Sequence, residues 1–318
     1  MTNYFFFFQL NKSAFMENSK RLQRAELLIF TIVTILNLLP FVATRFFPSL
    51  DGASHLANSN IIDQLVFHQN QFFSRFFIIN PEPVPNWTSH LVISLLTLVM
   101  PAFLAEKILV IALLAGIPFA FRSLMQTISP KNFLFSFLIF PFSHSMFFFF
   151  GFFNFCAAVL FSLITLNYWL RHEGRPWTVR SAILFVMMVA VTYFSHIVIF
   201  GLMLVLIFLH ILTGAVAGLA CKTAENKSVF NSLLKNILVL GLSAIGPFLL
   251  FVYFFYTRPG TREITHIARK ELVDFLVTVR PIISFNPILE GVHTVIIFKM
   301  LLILGAIGIL FFLVRVAR

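Results

Sequence analysis

Two ionisable residues one helical turn apart interrupt an otherwise apolar chain. Asp51 and His55 stand in the run Asp51-Gly-Ala-Ser-His55, directly after the first long apolar segment. On a helix, positions 51, 55 and 58 share a face, so Asp51, His55 and Asn58 can point at one site. A carboxylate there can take the proton of an acceptor hydroxyl, and together with an imidazole it can hold a divalent ion. Asp51 and His55 are therefore the candidate catalytic residues and the candidate metal ligands, with Asn58 as a candidate substrate contact.

Each member of this pair also has a purely structural interpretation. Asp is among the best N-cap residues, and Asp51 precedes a helix predicted over about residues 53–67. A single histidine near a membrane surface is more often a hydrogen-bonded structural residue than a base or a ligand. Two side chains fall short of the three or four protein ligands of a recognisable zinc site, so the use of a divalent metal ion stays open.

The composition excludes a soluble fold. Of the 318 residues 59% are hydrophobic, 44 are Phe, and only 11% are charged. Several runs of about 18 or more apolar residues predict membrane-spanning helices and hence a lipid bilayer as surroundings. The net charge of +11 is explained by lysines and arginines that flank the spans and face headgroups, so no nucleic-acid partner is expected. Cys156 and Cys221 lie far apart and imply no disulfide framework.

The apolar segments predict an all-α polytopic bundle that forms one membrane domain over residues 1–318. Residues 1–26 are basic and are expected on the cytoplasmic side, while residues 45–87 and 257–292 form two outer loops with juxtamembrane helices. The second span is predicted over residues 88–104, with an inner turn at Glu106-Lys107. Nine apolar segments result if residues 133–170 hold two. Because both termini are expected inside, about eight spans are predicted, with that tract crossing once or with one segment re-entrant.

Further polar residues fall at the outer ends or breaks of the predicted spans. Each taken alone is better explained as a contact that satisfies a helix end or, for the tryptophan, as an interfacial aromatic residue. Their shared depth predicts that they surround one outward cavity and bind substrate, because broken helices at membrane depth face protein or water. These residues are Asn86, Trp87, His90, His144, Asn154 and His196.

The second outer loop is basic and amphipathic. Its apolar positions between Ile264 and Val279 follow helical spacing, which favours a helix lying in the headgroups. The functional alternative for Arg258, Arg262, Arg269 and Arg280 is a clamp on a phosphate or diphosphate, which guanidinium geometry suits.

Four short motifs in this layout resemble those of a known group of enzymes. They are Asp51-Gly-Ala-Ser-His55-Leu, Pro83-Val-Pro-Asn-Trp87-Thr-Ser-His90, Gly151-Phe-Phe-Asn154-Phe-Cys and Tyr193-Phe-Ser-His196. With a basic-flanked first span and an outer loop that opens on an acid, the chain resembles the GT-C superfamily. These are integral-membrane glycosyltransferases that take sugars from polyprenyl-phosphate donors. The motifs look most like a group of uncharacterised bacterial proteins beside that superfamily, and the resemblance covers most of residues 25–200.

This resemblance implies an acidic catalytic residue at Asp51, a polyprenyl-phosphate-linked sugar donor and a place in the bacterial cytoplasmic membrane. Many GT-C enzymes pair two acids in the first outer loop, whereas here Gly52 follows Asp51. His55 and Asp63 are then the only nearby partners. The chain also ends soon after the second outer loop, where such enzymes commonly continue, so a truncated or minimal member is expected.

Three functions are weighed, in order of preference. The first is an inverting sugar transferase on the extracytoplasmic face, in which Asp51 activates the acceptor hydroxyl. The second is a transporter or flippase for a lipid-linked or anionic solute, which broken helices favour and the lack of an inverted repeat disfavours. The third is a non-catalytic partner in the assembly of cell-surface polysaccharide.

Overall fold

The chain folds into an all-helical bundle of the membrane type. A computed structural model describes residues 2–130, 133–220, 226–257, 267–283 and 286–317. Within these ranges there is no β-strand, and thirteen α-helices are joined by loops and two 3-10 helices. Six of the helices are long and apolar enough to cross a bilayer. The prediction of an all-α membrane bundle is confirmed.

The helices follow one another with short connections. The first half contains α1 (Thr2–Ala43), α2 (Gly52–Val66), α3 (Gln71–Ser74), α4 (Thr88–Thr97), α5 (Ala102–Ile128), a 3-10 helix (Phe133–Ile139), α6 (Phe140–Ser143) and α7 (Met146–Phe149). The second half contains α8 (Phe153–Arg171), α9 (Val179–Ser195), α10 (Ile197–Ala220), α11 (Asn226–Thr257), α12 (Arg269–Val277), a second 3-10 helix (Arg280–Ile282) and α13 (Pro287–Ala317).

Hydrogen bonds between distant segments define the two ends of the bundle. At one end, here named the Asp51 end, the Asp51 N–H donates to the Phe150 carbonyl at 2.9 Å. At the opposite end, named the Arg171 end, Arg171 Nε donates to Thr127 Oγ1 near the close of α5 at 3.1 Å. Consecutive long helices therefore run antiparallel between these two ends.

Eight segments of the described chain run between the two ends. Six are the long candidate spans in α1, α5, α8, α10, α11 and α13, and the 17-residue α9 is the seventh. The eighth is residues 133–149, in which a 3-10 helix and two single-turn α-helices replace one long helix. A 3-10 helix rises about 2.0 Å per residue against 1.5 Å in an α-helix, so this short segment reaches across. The tract 133–170 therefore makes two passes rather than one.

Residues 88–104 do not form a span. The ten residues of α4 measure about 15 Å, half of the roughly 30 Å of hydrocarbon in a bilayer. Pro101 ends the apolar run of α4 and caps α5, whose Lys107 Nζ donates to the Val42 carbonyl at the end of α1 at 3.0 Å. The predicted inner turn at Glu106-Lys107 is therefore wrong. Both residues belong to α5 and lie at the Asp51 end.

A buried ion pair sets the register of three passes. Arg122 on α5 donates from Nε to Glu26 Oε1 at 2.9 Å and from a terminal nitrogen to Glu26 Oε2 at 2.5 Å. Ser136 in the 3-10 helix donates to the same carboxylate at 2.8 Å, and the guanidinium lies over the Phe30 ring. Bidentate pairing and the extra hydroxyl satisfy a charge that would otherwise be costly in an apolar interior.

A cluster of buried apolar side chains supports the Asp51 end. Ile93, Leu109, Phe148 and Phe153 are almost fully buried in one cluster that joins α4, α5, α7 and α8. Polar groups at the starts of α4 and α8 stand on this cluster, so their backbone positions are fixed by close packing.

Candidate functional site

A cavity of about 310 Å³ opens at the Asp51 end. Its walls come from the start of α2, the approach to α4, the start of α8 and the break between α9 and α10. The lining residues are Asp51, His55, Asn86, His90, Phe152, Asn154, Phe155 and His196. The structure thus gathers six of the candidate site residues around one cavity, and the roles of these residues stay predictions.

The carboxylate of Asp51 does not cap the helix that follows it. Asp51 is the N-cap residue of α2, yet its side chain makes no capping hydrogen bond. Ser49 supplies the cap instead, because its hydroxyl oxygen accepts from the Gly52 N–H at 3.0 Å. Among the described residues the Asp51 carboxylate has no hydrogen-bond or ion-pair partner. A carboxylate with unused lone pairs at a cavity wall is what a general base requires.

His55 is held at both ring nitrogens. Nε2 lies 2.9 Å from the Gly151 carbonyl, and Nδ1 lies 3.1 Å from Ser89 Oγ. Because a carbonyl only accepts, Nε2 carries the proton and the Ser89 hydroxyl donates to Nδ1. Burial lowers the pKa of His55 below its ordinary 6.5, and the Gly151 hydrogen bond and the Asp51 charge oppose this shift in part. The neutral ring therefore acts as a positioning group that joins α2 to the start of α8.

The side chains around Asp51 do not fit a metal centre. In the neutral ring of His55 both nitrogens are engaged, so no lone pair is left for an ion. Within the described ranges, no three or more His, Cys, Asp or Glu side chains are placed so that together they could hold a metal ion. The pair Asp51 and His55 therefore offers too few ligands for a structural or catalytic zinc ion.

Asn154 fixes the start of α4. Its Oδ1 accepts from the Ser89 N–H at 2.7 Å, and its Nδ2 donates to the Asn86 carbonyl at 2.8 Å. Asn86 has a φ of 70°, a left-handed conformation that Asn tolerates better than most residues. The amide of Asn154 is thus engaged at both ends, and it positions the cavity wall from below.

Two histidines at the cavity have unused ring nitrogens. Nδ1 of His90 and Nδ1 of His196 are both buried, and neither has a hydrogen-bond partner among the described residues. The ring centroids of His90 and His55 are 4.7 Å apart. The His196 ring packs edge-on against Phe155, with ring centroids 5.2 Å apart. Buried polar atoms are rarely left without a partner, so these two nitrogens are exceptions among the described polar side chains.

A second hollow of about 530 Å³ adjoins the cavity and shares Asn86 and His90 with it. Here it is named the apolar groove, because eight of its twelve lining residues are aliphatic or aromatic. Its other lining residues are Asn58, Ile61, Ile62, Phe77, Ile78, Ile79, Asn80, Val84, Pro85 and Trp87. The candidates Asn58 and Trp87 therefore line the groove and not the Asp51 cavity.

Some candidate residues lie apart from both hollows. His144 stacks on Phe41 with ring centroids 5.4 Å apart, inside the bundle at the break between α6 and α7. Asp63 faces α4, where the hydroxyls of Ser94 and Thr97 donate to its two oxygens, so it cannot act as a partner acid for Asp51. The shared depth of these residues gave no information on which side of a helix each one faces.

Two members of the predicted arginine clamp, Arg269 and Arg280, lie within the described residues, and neither lines the cavity or the apolar groove. Arg269 starts α12 and is exposed. Arg258 and Arg262 lie outside the described residues.

Sequence reasoning missed a buried acid that packs against Gly52. Glu106 is 4% exposed, and its carboxylate packs directly against Gly52, where an added Cβ would clash with Glu106 Oε1 and Ser49 Oγ. The signal that could have revealed this contact was Pro101, the N-cap of α5. Because α5 begins there, Glu106 falls in its second turn, at the Asp51 end.

Comparison with known proteins identifies no similar protein. The chain matches no family model, and no curated protein or solved structure is similar enough to it to count as a match.

Proposed function

We propose that the protein is a membrane glycosyltransferase that moves a sugar from a polyprenyl-phosphate-linked donor to an acceptor hydroxyl at the Asp51 end. The observation that carries the proposal is the unpartnered Asp51 carboxylate at a cavity that joins an apolar groove. The Asp51 cavity has polar side chains for a sugar, and the adjoining apolar groove suits an isoprenoid tail.

In the proposed reaction Asp51 accepts the proton of the acceptor hydroxyl. The acceptor oxygen then attacks the anomeric carbon from the side opposite the phosphate, and the bond from that carbon to the phosphate oxygen breaks. Polyprenyl phosphate leaves with the electron pair, and the sugar is linked with inverted configuration. General base catalysis of this kind contributes about 10²–10⁴ to a rate.

The unused ring nitrogens of His90 and His196 are assigned to donor contacts. Each can donate a hydrogen bond from Nδ1 to a sugar hydroxyl or phosphate oxygen in the suitable tautomer. His90 lines both hollows, so it stands where head and tail of such a donor would meet. The isoprenoid chain is assigned to the wall formed by Ile61, Phe77 and Ile78.

The extracytoplasmic orientation is part of the proposal and is supported by charge. The helix ends and the turn at the Arg171 end carry Arg171, Arg175, Arg180, Lys227 and Lys235. Lysine and arginine concentrate on cytoplasmic loops, which favours the Arg171 end inside and the Asp51 cavity outside. Transport is less well supported, because transporters bind their solutes near the middle of the membrane and this cavity lies at one end.

A transfer assay tests the proposal. Purified full-length protein in liposomes is given polyprenyl phosphates that carry different radiolabelled sugars, together with extracted envelope glycans and lipids as acceptors. We expect label to move from the donor to an acceptor for one donor class. Absence of transfer and of donor cleavage with every donor would contradict the assignment.

A further inference from the structure

Two adjacent cavities lie at the Arg171 end, on the opposite side of the molecule from Asp51. One measures about 290 Å³ and the other about 510 Å³. They share His172, Glu173, Ser232 and Asn236 and are named together the polar groove. One wall is the turn between α8 and α9, and the other is the first three turns of α11.

The α11 wall is a stripe of polar side chains on an apolar membrane helix. Its members are Ser228, Asn231, Ser232, Lys235 and Asn236, which fall on one face at helical spacing. All five line the polar groove, and none of their side chains hydrogen-bonds to a described residue. Four of the five are exposed and Asn236 is half-buried, so the stripe is accessible to a polar ligand and is not used for packing between helices.

The facing wall combines both signs of charge with aromatic rings. The turn between α8 and α9 contributes Glu173 and Arg175 to the groove. Trp177 stacks on His172 with ring centroids 5.0 Å apart. The Glu173 side chain is 64% exposed, and its carboxylate lies within ion-pairing distance of His210, 3.6 Å from Nε2, without a hydrogen bond between them. The carboxylate therefore keeps its acceptor capacity for a ligand.

The groove lies at the depth of lipid headgroups. The polar stripe ends at Asn236, and the remaining residues of α11, 237–257, are about 30 Å of helix, the thickness of the hydrocarbon core. Trp169 and Trp177 stand at the same level, as interfacial tryptophans do. The third wall of the groove is α10, which leaves space there because its lining residues include the small Gly214, Ala215 and Gly218.

From this arrangement we propose that the polar groove binds the phosphoethanolamine headgroup of a membrane lipid. Lys235 and Arg175 pair with the phosphate, and the serine hydroxyls and asparagine amides of the stripe donate to its oxygens. Glu173 accepts from the primary ammonium, which also lies against the Trp177 ring. A choline headgroup has no N–H to donate to Glu173, and a phosphoglycerol headgroup has no cation for it. The site is independent of the proposed transferase activity, since it lies at the other end of the bundle.

Native mass spectrometry of the purified full chain tests this site with three added lipids that have identical acyl chains. These are phosphatidylethanolamine, phosphatidylcholine and phosphatidylglycerol. We expect phosphatidylethanolamine to be retained about fivefold more than phosphatidylcholine, and Lys235→Gln to lower retention of all three lipids about fivefold. Glu173→Gln is expected to lower retention of phosphatidylethanolamine alone, to the level of phosphatidylcholine.

Lys227→Gln is the matched control, because Lys227 is an exposed lysine on the same helix that lines neither cavity. Lys235 and Glu173 are themselves exposed, so their variants are expected to fold, which unchanged thermal unfolding verifies. Equal loss in Lys227→Gln and Lys235→Gln would overturn the site. Equal retention of the ethanolamine and choline lipids would overturn the ammonium contact. Displacement of bound lipid by an equal concentration of soluble glycerophosphoethanolamine would overturn a membrane lipid as the ligand.

Discussion

The ring of His55 donates from Nε2 to the carbonyl of Gly151 at 2.9 Å, a contact between the first helix after Asp51 and the start of α8. Gly151 has a φ of 78°, which favours glycine, and its Cα faces the backbone of the Asp51-Gly52 turn. A Cβ there would lie 2.9 Å from the Gly52 nitrogen and 3.1 Å from the Asp51 nitrogen. One glycine thus accepts the hydrogen bond of the histidine and lets the Asp51-Gly52 turn approach closely.

Gly151→Ala is therefore expected to destabilise the protein by more than the left-handed backbone alone explains. That backbone costs about 1–2 kcal/mol for a residue with a Cβ, and the clash with a backbone nitrogen adds to it. Gly174→Ala is the matched control, because Gly174 has a φ of 72° and nothing within 4 Å of an added Cβ. Thermal unfolding of both variants in the same detergent measures the difference. An equal loss in the two would show that close packing at Gly151 is unimportant.

A mutant cycle tests the contact between Gly52 and Glu106. Gly52→Ala is expected to destabilise the protein by about 1–3 kcal/mol, because the added methyl group displaces the Ser49 cap and the Glu106 carboxylate. Adding Gly52→Ala to a Glu106→Ala background should be less destabilising, with a coupling of about 0.5–3 kcal/mol. Gly201→Ala, where an added Cβ meets nothing within 4 Å, is expected to be close to neutral. Strict additivity of Gly52→Ala and Glu106→Ala would disprove the contact.

The buried state of His55 predicts a pH-dependent stability. Burial lowers the pKa of His55, so below pH 6.5 the unfolded chain binds a proton that the folded ring does not. Stability from this residue is complete above pH 6.5 and is lost as the pH falls towards the lowered pKa. The midpoint of thermal unfolding, followed from about pH 7.5 to 5.5, should fall more steeply for wild type than for His55→Gln. His68→Gln, at an exposed position just after α2, controls for the loss of one imidazole. Parallel curves for wild type and His55→Gln would contradict the assignment of a neutral, buried ring.

Removing one partner of the Glu26–Arg122 ion pair should destabilise the protein more than removing both partners. Arg122→Ala leaves a carboxylate whose side chain is 1% exposed, and breaking a buried pair in this way costs about 3–5 kcal/mol. The double variant Glu26→Met with Arg122→Met leaves no buried charge and is expected to unfold at a higher temperature than Arg122→Ala. The reverse order of unfolding temperatures would show that Glu26 is not buried as a charged group.

Local signals in the sequence predicted much of this architecture. Asp51 and Gly52 mark the start of α2, and the breaks near residues 144 and 151 and at His196 all occur. These features depend on capping, glycine and proline, which act within a few residues. The gathering of Asp51, His55, His90 and His196 follows from their common depth in the bundle.

Other features depend on contacts between distant segments. The Phe-rich tract 133–149 has the composition of an apolar helix, and its 3-10 geometry is linked to the bond from Ser136 to Glu26. Hydropathy joined residues 88–104 into one span, although Pro101 divides them. The predicted depth of His144 in the membrane also placed it at the cavity. In the structure its ring stacks on Phe41 instead.

The most direct test of the proposed function compares transfer rates of wild type, Asp51→Asn and Asp274→Asn under saturating donor. Asp274 is an exposed acid on α12 outside the cavity, so its substitution controls for the loss of one negative charge. If Asp51 is the base, Asp51→Asn lowers kcat by about 10²-fold or more, while Asp274→Asn keeps the wild-type rate. An Asp51→Asn protein that transfers sugar as fast as wild type would contradict the role of this carboxylate.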